Sequence, residues 1–402
     1  MVKFKKELFM LRPDVKIDGQ ITGSNLRKIL PGLTALVLIT GCTTVSISQA
    51  DIILLPNHVY LPIITKNYQE TNPYREDVTI TSAGFHLGRY NWLAVGANWR
   101  VLDYDNNFGD PPWTVSTVSE NRDTVNQELA NMKLAGIKLV RIGLLDSGAA
   151  FFNGGYSSAM RDDARTFLEL AYDNEIKTEL VLADHLFGAR HSQIFTDTGL
   201  RQSLTQDLLS DILRDIQANS KARSSLFSID LLNEPEWLIS KDDGGGWEYV
   251  NGERSPQPVD IDKIDAYLIE AHDTLKSIMP EKFATVGVSA KHTQVIEGVM
   301  DQLDYIAIHH YAHMGSLTQY IDRLPTNKSW VLEEFPTRDE SIPVTPSTYL
   351  DLVLGLRERR STGALMWMWK PIRGSIDNNT ELSMIPNLTD WIDIHQNDIL
   401  NR

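Results

Sequence analysis

From about residue 90 onward, short apolar runs alternate with longer amphipathic stretches, and the unit repeats eight times. The runs are Leu93–Asn98, Leu139–Leu145, Glu179–His185, Phe227–Leu232, Ala284–Ser289, Tyr305–Tyr311, Trp330–Glu334 and Ala364–Trp369. Their length and boundaries predict buried strands. Between them, apolar residues recur at helical spacing: Val125, Leu129 and Met132, then Leu209, Ile212, Leu213 and Ile216, then Ile261, Ile264, Leu268 and Leu275. Thr345-Pro346 has the form of a cap and first turn for the helix after the seventh run. Strands alternating with helices imply an α/β protein with a parallel sheet, and eight such units argue for a closed (β/α)8 TIM barrel. An open doubly wound sheet is the alternative, but no Gly-rich phosphate loop follows the first run.

The N-terminal part is organised differently. Arg27 and Lys28 precede an apolar stretch from Ile29 to Thr40, too short to span a bilayer and of the length of a signal-peptide core. It ends Leu38-Ile39-Thr40-Gly41-Cys42, which resembles the lipobox of bacterial lipoproteins, where cleavage precedes the cysteine and the thiol is lipidated. The alternative is an incidental thiol beside a plain signal peptide. Residues 43–83 carry Ser, Thr, Asn and Pro without a sustained period and read as a tether. The expected organisation is a signal peptide over 1–41, a lipid-anchor tether over 42–83 and a catalytic barrel over 84–402. That places a monomer on the extracellular side of a membrane, held by the lipid alone.

Composition narrows the chemistry. The formal charge is -15, and without residues 1–42 the chain has 31 basic and 50 acidic residues, a net of -19. A surface lacking a basic field argues against a nucleic-acid partner and is compatible with a neutral substrate. Cys42 is the sole cysteine, which excludes an internal disulfide framework and argues against a Cys-based zinc site. His309, His310 and His313 invite a zinc reading, but a strand turns 309 and 310 to opposite faces. Neither a metal nor an organic cofactor is expected.

Two glutamates stand just past predicted strands: Glu234 in Leu232-Asn233-Glu234-Pro235 after the fourth, and Glu334 in Trp330-Val331-Leu332-Glu333-Glu334-Phe335 at the seventh. A barrel places both at the C-terminal rim, and two carboxylates across a cleft suggest glycoside hydrolysis. Strand alternation puts Trp330, Leu332 and Glu334 on one face and Glu333 on the other.

On these residues, roughly positions 90 to 371 resemble clan A glycoside hydrolases, most closely family 5, the group containing cellulases and β-mannanases. The resemblance implies that Glu234 is the acid/base and that Glu334, followed by an aromatic residue, is the nucleophile. It further implies that Arg141 orients the nucleophile, that His185 lines the sugar site and that Asn233 meets a sugar 2-hydroxyl. His309 and Tyr311 match the family's His-any-Tyr pattern, and Trp367 or Trp369 matches its sugar platform. Glu333 and Pro336 depart from it, standing where many members have glycine. Trp99, Trp113, Trp237 and Trp247 fall near strand ends and are further candidates to stack on sugar rings, whereas packing is expected for Trp391. Three readings remain open: a retaining β-mannanase or β-glucanase, a carbohydrate-binding lipoprotein without turnover, and another clan A glycosidase of different sugar specificity.

Overall fold

The computed structural model describes residues 54–55, 58–59, 72–100, 108, 117–145, 158–184, 191–243, 258–312, 314–336, 345–367, 369 and 384–401. The expected signal peptide, Cys42, His185, Trp113, Trp247 and His313 lie outside them. The chain divides into two units, Met1–Glu70 and Thr71–Arg402. In the first, Leu54–Leu55 pairs antiparallel with His58–Val59. The second holds the eightfold pattern and both glutamates.

Nine parallel strands among the described residues form one sheet, in the order Phe283–Thr285, Leu226–Asp230, Lys177–Val181, Leu139–Gly143, Ala94–Asn98, Ser361–Trp367, Ser329–Pro336, Tyr305–His309 and Gly287–Ser289. The first and last of these flank Val286 and are two halves of one strand. Its first half pairs with the fourth strand and its second half with the sixth. That closes the ring, and the architecture is the (β/α)8 barrel that the eightfold pattern predicts.

The helices carry the expected stripes. Arg122–Leu134 buries Val125, Leu129 and Met132; Leu209–Ala218 buries Leu209, Ile212, Leu213 and Ile216; Ile261–Ile278 buries Ile264, Tyr267, Leu268, Ala271 and Leu275. Among the described residues no helix is long and apolar enough to cross a membrane.

A small antiparallel sheet lies outside the ring: Leu400–Asn401, Tyr90–Trp92, Gly84–Leu87 and Val78–Thr81. Phe85 reaches from it into a cluster with Trp92, Phe227, Phe283 and Tyr305, with ring centroids 5.0 Å from Phe227 and 5.3 Å from Tyr305. Phe227, Phe283 and Tyr305 open their strands, so Phe85 plugs the N-terminal mouth, opposite the rim where the glutamates stand. Val78–Thr81 falls inside the stretch read from sequence as tether, so residues 72–83 fold with the compact unit. Lys282 Nζ on Asp77 Oδ1 at 2.7 Å and buried Lys177 Nζ on the Glu76 carbonyl fasten this segment.

The third strand begins at Lys177, two residues before the predicted start, and ends at Val181 rather than His185. Lys177, Thr178 and Glu179 are polar yet fully buried, so an apolar pattern cannot mark them. In the seventh strand, pairing jumps from Leu332–Ile308 to Glu334–His309 on one side and from Leu332–Ala364 to Phe335–Met366 on the other. An extra residue is accommodated at Glu333-Glu334, and alternation stops there.

Candidate active site

Arg141, on the second strand, is the hub. Only 3% of its side chain is exposed, and its Nη1 donates to Glu334 Oε1 at 2.8 Å and to Asn98 Oδ1 at 2.9 Å. Nη2 donates to Asn233 Oδ1 at 2.6 Å and to Asp230 Oδ2, while Nε lies 3.1 Å from Glu179 Oε1 and 3.4 Å from Glu333 Oε2. Burial alone would weaken the guanidinium's hold on its proton. The carboxylates of Glu333, Asp230, Glu334 and Glu179 outweigh that and push its pKa well up, so the charge is permanent.

Glu334 sits at the bulge with 5% of its side chain exposed. Its other oxygen accepts the Tyr311 hydroxyl at 2.6 Å. Burial first, and then the facing Glu334, raise the Tyr311 phenol well above its ordinary pKa, which fixes it as a donor. The bulge corrects the expectation that Glu333 faces away: both acids turn inward, and Arg141 touches each.

Glu234 lies between Asn233 and Pro235 in a left-handed conformation, φ 51° and ψ 53°. A residue before proline ordinarily takes extended backbone, so the position stores strain of about 1–3 kcal/mol. The Gly287 carbonyl anchors it by accepting the Glu234 N–H at 2.7 Å. The side chain, 17% exposed, is reached by His309 Nδ1 at 2.9 Å from Oε1, and Trp237 Nε1 donates to Oε2 at 3.0 Å. His309 Nδ1 also lies 3.6 Å from Glu334 Oε2. One oxygen each of Glu234 and Glu334 and a nitrogen of His309 all fall within 4.8 Å of one another. The two glutamates, a hundred residues apart in sequence, thus meet at the rim.

Asn233 is held from both ends, accepting from Arg141 and donating Nδ2 to Asp184 Oδ2 at 3.0 Å, which engages one of its two Nδ2 hydrogens. Asp184 also lies 3.6 Å from Arg100, whose guanidinium stands 4.8 Å over the Trp367 ring. Asp184, Arg100 and Trp367 line a small recess on the Arg141 side together with Asn98 and Trp99. Trp369 is 4% exposed and donates Nε1 to Glu128, so of the two candidate platform residues Trp367 reaches the recess. On the Glu234 side opens a cavity of about 210 Å³, lined by Trp237, Ser289, Lys291, His292 and Tyr311. Trp99 is buried against Phe167, and Trp391 packs with Nε1 donating to Asp351. His310 turns away to Ser316, as strand geometry predicts.

Two triads stand close enough to converge on a cation, Glu234 with His309 and Glu334, and Glu179 with Asp230 and Glu333. In both, oxygens are already engaged by Arg141 or Tyr311. Sequence reasoning missed Asn98, Glu179, Asp230, Glu236 and the inward Glu333. Glu179 and Asp230 carried a signal, since a charge inside a predicted buried strand requires a partner.

No protein-family model matches the chain, and no curated protein matches it. Solved structures do. The chain is similar to a β-1,4-mannanase from the sea hare Aplysia kurodai, at 18% identity over 80% of this chain and 97% of that one, with a TM-score of 0.62. An endo-1,4-β-mannanase from Eisenia fetida is similar at 17% identity over 79% and 95%, TM-score 0.61. An exo-β-1,4-mannosidase from an Opitutaceae bacterium is similar at 16% identity over 80% of this chain and 63% of that one, TM-score 0.59. At these identities the likeness establishes the fold.

Proposed function

We propose that this chain is a retaining β-glycoside hydrolase acting on β-linked mannan or glucan, with Glu234 as acid/base and Glu334 as nucleophile. The observation that carries the reading is the meeting of the two carboxyls within 4.8 Å. Retaining glycosidases hold theirs about 5–5.5 Å apart, whereas inverting enzymes leave room for a water between them.

The surroundings divide the roles. Glu334 accepts from Arg141 and Tyr311, the hydrogen-bonding state of an ionised carboxylate poised to attack an anomeric carbon. Glu234 is the more exposed of the two and borders the roomier cavity, where a leaving group would sit. Attack by Glu334 displaces the glycosidic oxygen as Glu234 protonates it. The glycosyl-enzyme removes the charge at Glu334, and Glu234, now ionised, takes a proton from water as that water attacks the anomeric carbon. The second Nδ2 hydrogen of Asn233 is the donor for a 2-hydroxyl, and Trp367 and Trp237 offer aromatic faces on either side. No step calls on a cofactor.

Mannan is favoured because the structural neighbours include mannan-cleaving enzymes of both endo and exo type. The test is purified protein on mannan, cellulose, xylan and mixed-linkage glucan, with product lengths and the anomeric configuration of the first product followed by NMR. Retained configuration, lost in Glu334→Gln, supports the reading. Inverted product, or full activity in Glu334→Gln, overturns it. Binding of intact polysaccharide without release of reducing sugar would mark a carbohydrate-binding protein instead.

The reading includes a lipid anchor at Cys42, supported by the apolar stretch before it and the Leu38-Ile39-Thr40-Gly41-Cys42 sequence. Expressed in a bacterium fed labelled palmitate, the chain should take up label and sediment with membranes. Cys42→Ala should abolish both.

A further inference from the structure

Glu333 directly precedes the proposed nucleophile, and an acid there would ordinarily be a solvated neighbour. Here it is fully buried. Its Oε2 lies 2.9 Å from His309 Nε2, and His309 Nδ1 lies 2.9 Å from Glu234 Oε1, so one imidazole ties Glu333 to the proposed acid/base. Behind Glu333 stands a second buried acid, Glu179, with a carboxyl oxygen within 4.8 Å of one of Glu333. Glu179 Oε2 accepts from Tyr305 Oη and from Ser228 Oγ at 2.9 Å. The remaining oxygen of each acid, Glu179 Oε1 and Glu333 Oε1, is buried and accepts no hydrogen bond from a protein donor among the described residues. Gly287 makes the arrangement sterically possible, because a Cβ there would stand 2.4 Å from Glu333 Oε2 and 2.7 Å from His309 Nε2.

Two bare carboxylate charges that close in a dry interior repel strongly, and a proton on one of them removes the repulsion. Burial, and then the charge of Glu333, push the Glu179 carboxyl well above the usual range. Arg141, alongside both, can offset only part of the charge, because Asp230 and Glu334 draw on the same guanidinium. On the other side, His309 faces Glu234, Glu334 and Glu333, with Glu236 also acting on it. Burial would strip its proton, but the carboxylates of Glu334, Glu234 and Glu333 outweigh that and raise its pKa well above the ordinary value.

We propose that Glu333, kept anionic by a proton held on Glu179, locks His309 as an imidazolium, and that these positioning residues thereby aim the proton of Glu234 at the leaving group. The aiming follows from donor count. A neutral imidazole giving its N–H to Glu333 would turn a lone pair toward Glu234 and trap that proton in an internal hydrogen bond. An imidazolium offers Oε1 only an N–H, and Trp237 offers Oε2 only an N–H. Neither of these two donors can accept the proton, so neither competes with the glycosidic oxygen for it. This deepens the glycosidase reading and rests on it for the role of Glu234.

The protonation half is tested without turnover, by NMR of the intact chain carrying 15N-labelled histidine, with His309 assigned from a His309→Gln variant. In the unaltered protein His309 should stay doubly protonated through neutral pH. A midpoint near that of free histidine overturns the proposal, and this measurement needs no variant that must fold. Glu333→Gln should lower the midpoint by about one to three pH units, whereas Glu179→Gln should leave it in place, since a neutral amide replaces a neutral acid. No shift in Glu333→Gln, or an equal shift in both, overturns the proposal.

The aiming half is read by leaving group. Glu333→Gln should slow oligosaccharide hydrolysis by roughly tenfold to a hundredfold and spare an aryl glycoside whose leaving group needs no proton. Equal losses overturn it. An unaltered protein that hydrolyses none of these substrates sinks the glycosidase reading and the aiming with it, and the NMR titration then decides the protonation alone.

Discussion

Glu236, two residues past the proposed acid/base, converts burial into a measurable dependence of stability on pH. Its side chain is fully buried, Oε1 accepts the Ser289 N–H at 2.8 Å, and Oε2 is buried without a hydrogen-bond partner among the described residues. Burial, and then the nearby charge of Glu234, raise this carboxyl to about 8 from an ordinary value of 4.5. The sign is opposite to that of a salt-bridged acid. Between those two values the native state holds a proton that the unfolded chain has released, so stability falls as pH rises. One proton contributes about 1.4 kcal/mol per pH unit, hence at most on the order of 4 kcal/mol between about pH 5 and pH 8. Glu236→Gln keeps an acceptor for Ser289 and cannot ionise. Guanidinium unfolding at several pH values across that window should show the variant gaining on the parent as pH rises, with curves converging below about pH 4.5. Parallel curves, or a gap that widens toward acid, would refute the reasoning. Above pH 8 the parent also acquires a second charge beside Glu234, so the alkaline limb of activity should be less steep in the variant.

Three further outcomes are expected from the geometry. Glu234→Gln should reduce hydrolysis of polysaccharide by about 10²–10⁴-fold while an activated aryl glycoside still gives a burst of phenol, which stopped-flow absorbance reads. Arg141→Met removes the guanidinium from beside Asp230, Glu333 and Glu334 and should lose about 3–5 kcal/mol, visible as a fall in thermal midpoint along with activity. Phe85→Ala empties the plug at the opposite mouth and should lose about 3–5 kcal/mol, yet kcat below the melting range should be unchanged, because the rim is untouched.

The eightfold alternation made the barrel legible because strands covered on both faces read as apolar runs and helices around them show a single stripe. Strand ends were less legible where the barrel interior is polar. Lys177, Thr178 and Glu179 open the third strand and Ser228 and Asp230 line the fourth, and no hydrophobic period reports residues buried for their hydrogen bonds. The candidate site was legible one residue at a time, since Glu234, Glu334, Asn233 and Tyr311 stand at or just past predicted strand ends, Arg141 and His309 lie within predicted strands, and the structure brings them together. Glu333 was misread because side-chain alternation assumes an unbroken ladder. The bulge is fixed by pairing with strands contributed from elsewhere in the chain, so residues 329–336 alone do not encode it.

That bulge also explains why two consecutive acids are tolerated at the end of a buried strand. On a regular strand Glu333 would point outward with Val331 into the apolar layer between sheet and helices, where Val331 is buried and an unpaired charge costs several kcal/mol. Turned inward, it finds Arg141 at 3.4 Å and His309 at 2.9 Å. Glu334, inward by regular alternation, meets Arg141 Nη1 and Tyr311 as well, so the irregularity relieves the buried acid and leaves the second carboxyl at the rim with Glu234. Gly287 is the complement on the fifth strand: its carbonyl anchors strained Glu234, its N–H donates to Asp230 Oδ1 at 3.1 Å, and its missing side chain leaves room for the His309–Glu333 contact. Gly287→Ala should therefore do more than overpack. A methyl group 2.4 Å from Glu333 Oε2 must push that oxygen off His309, so beyond a loss of about 1–3 kcal/mol the His309 NMR midpoint should fall in the direction expected for Glu333→Gln. Destabilisation with an unmoved midpoint would separate packing from protonation and show that the glycine serves only the former.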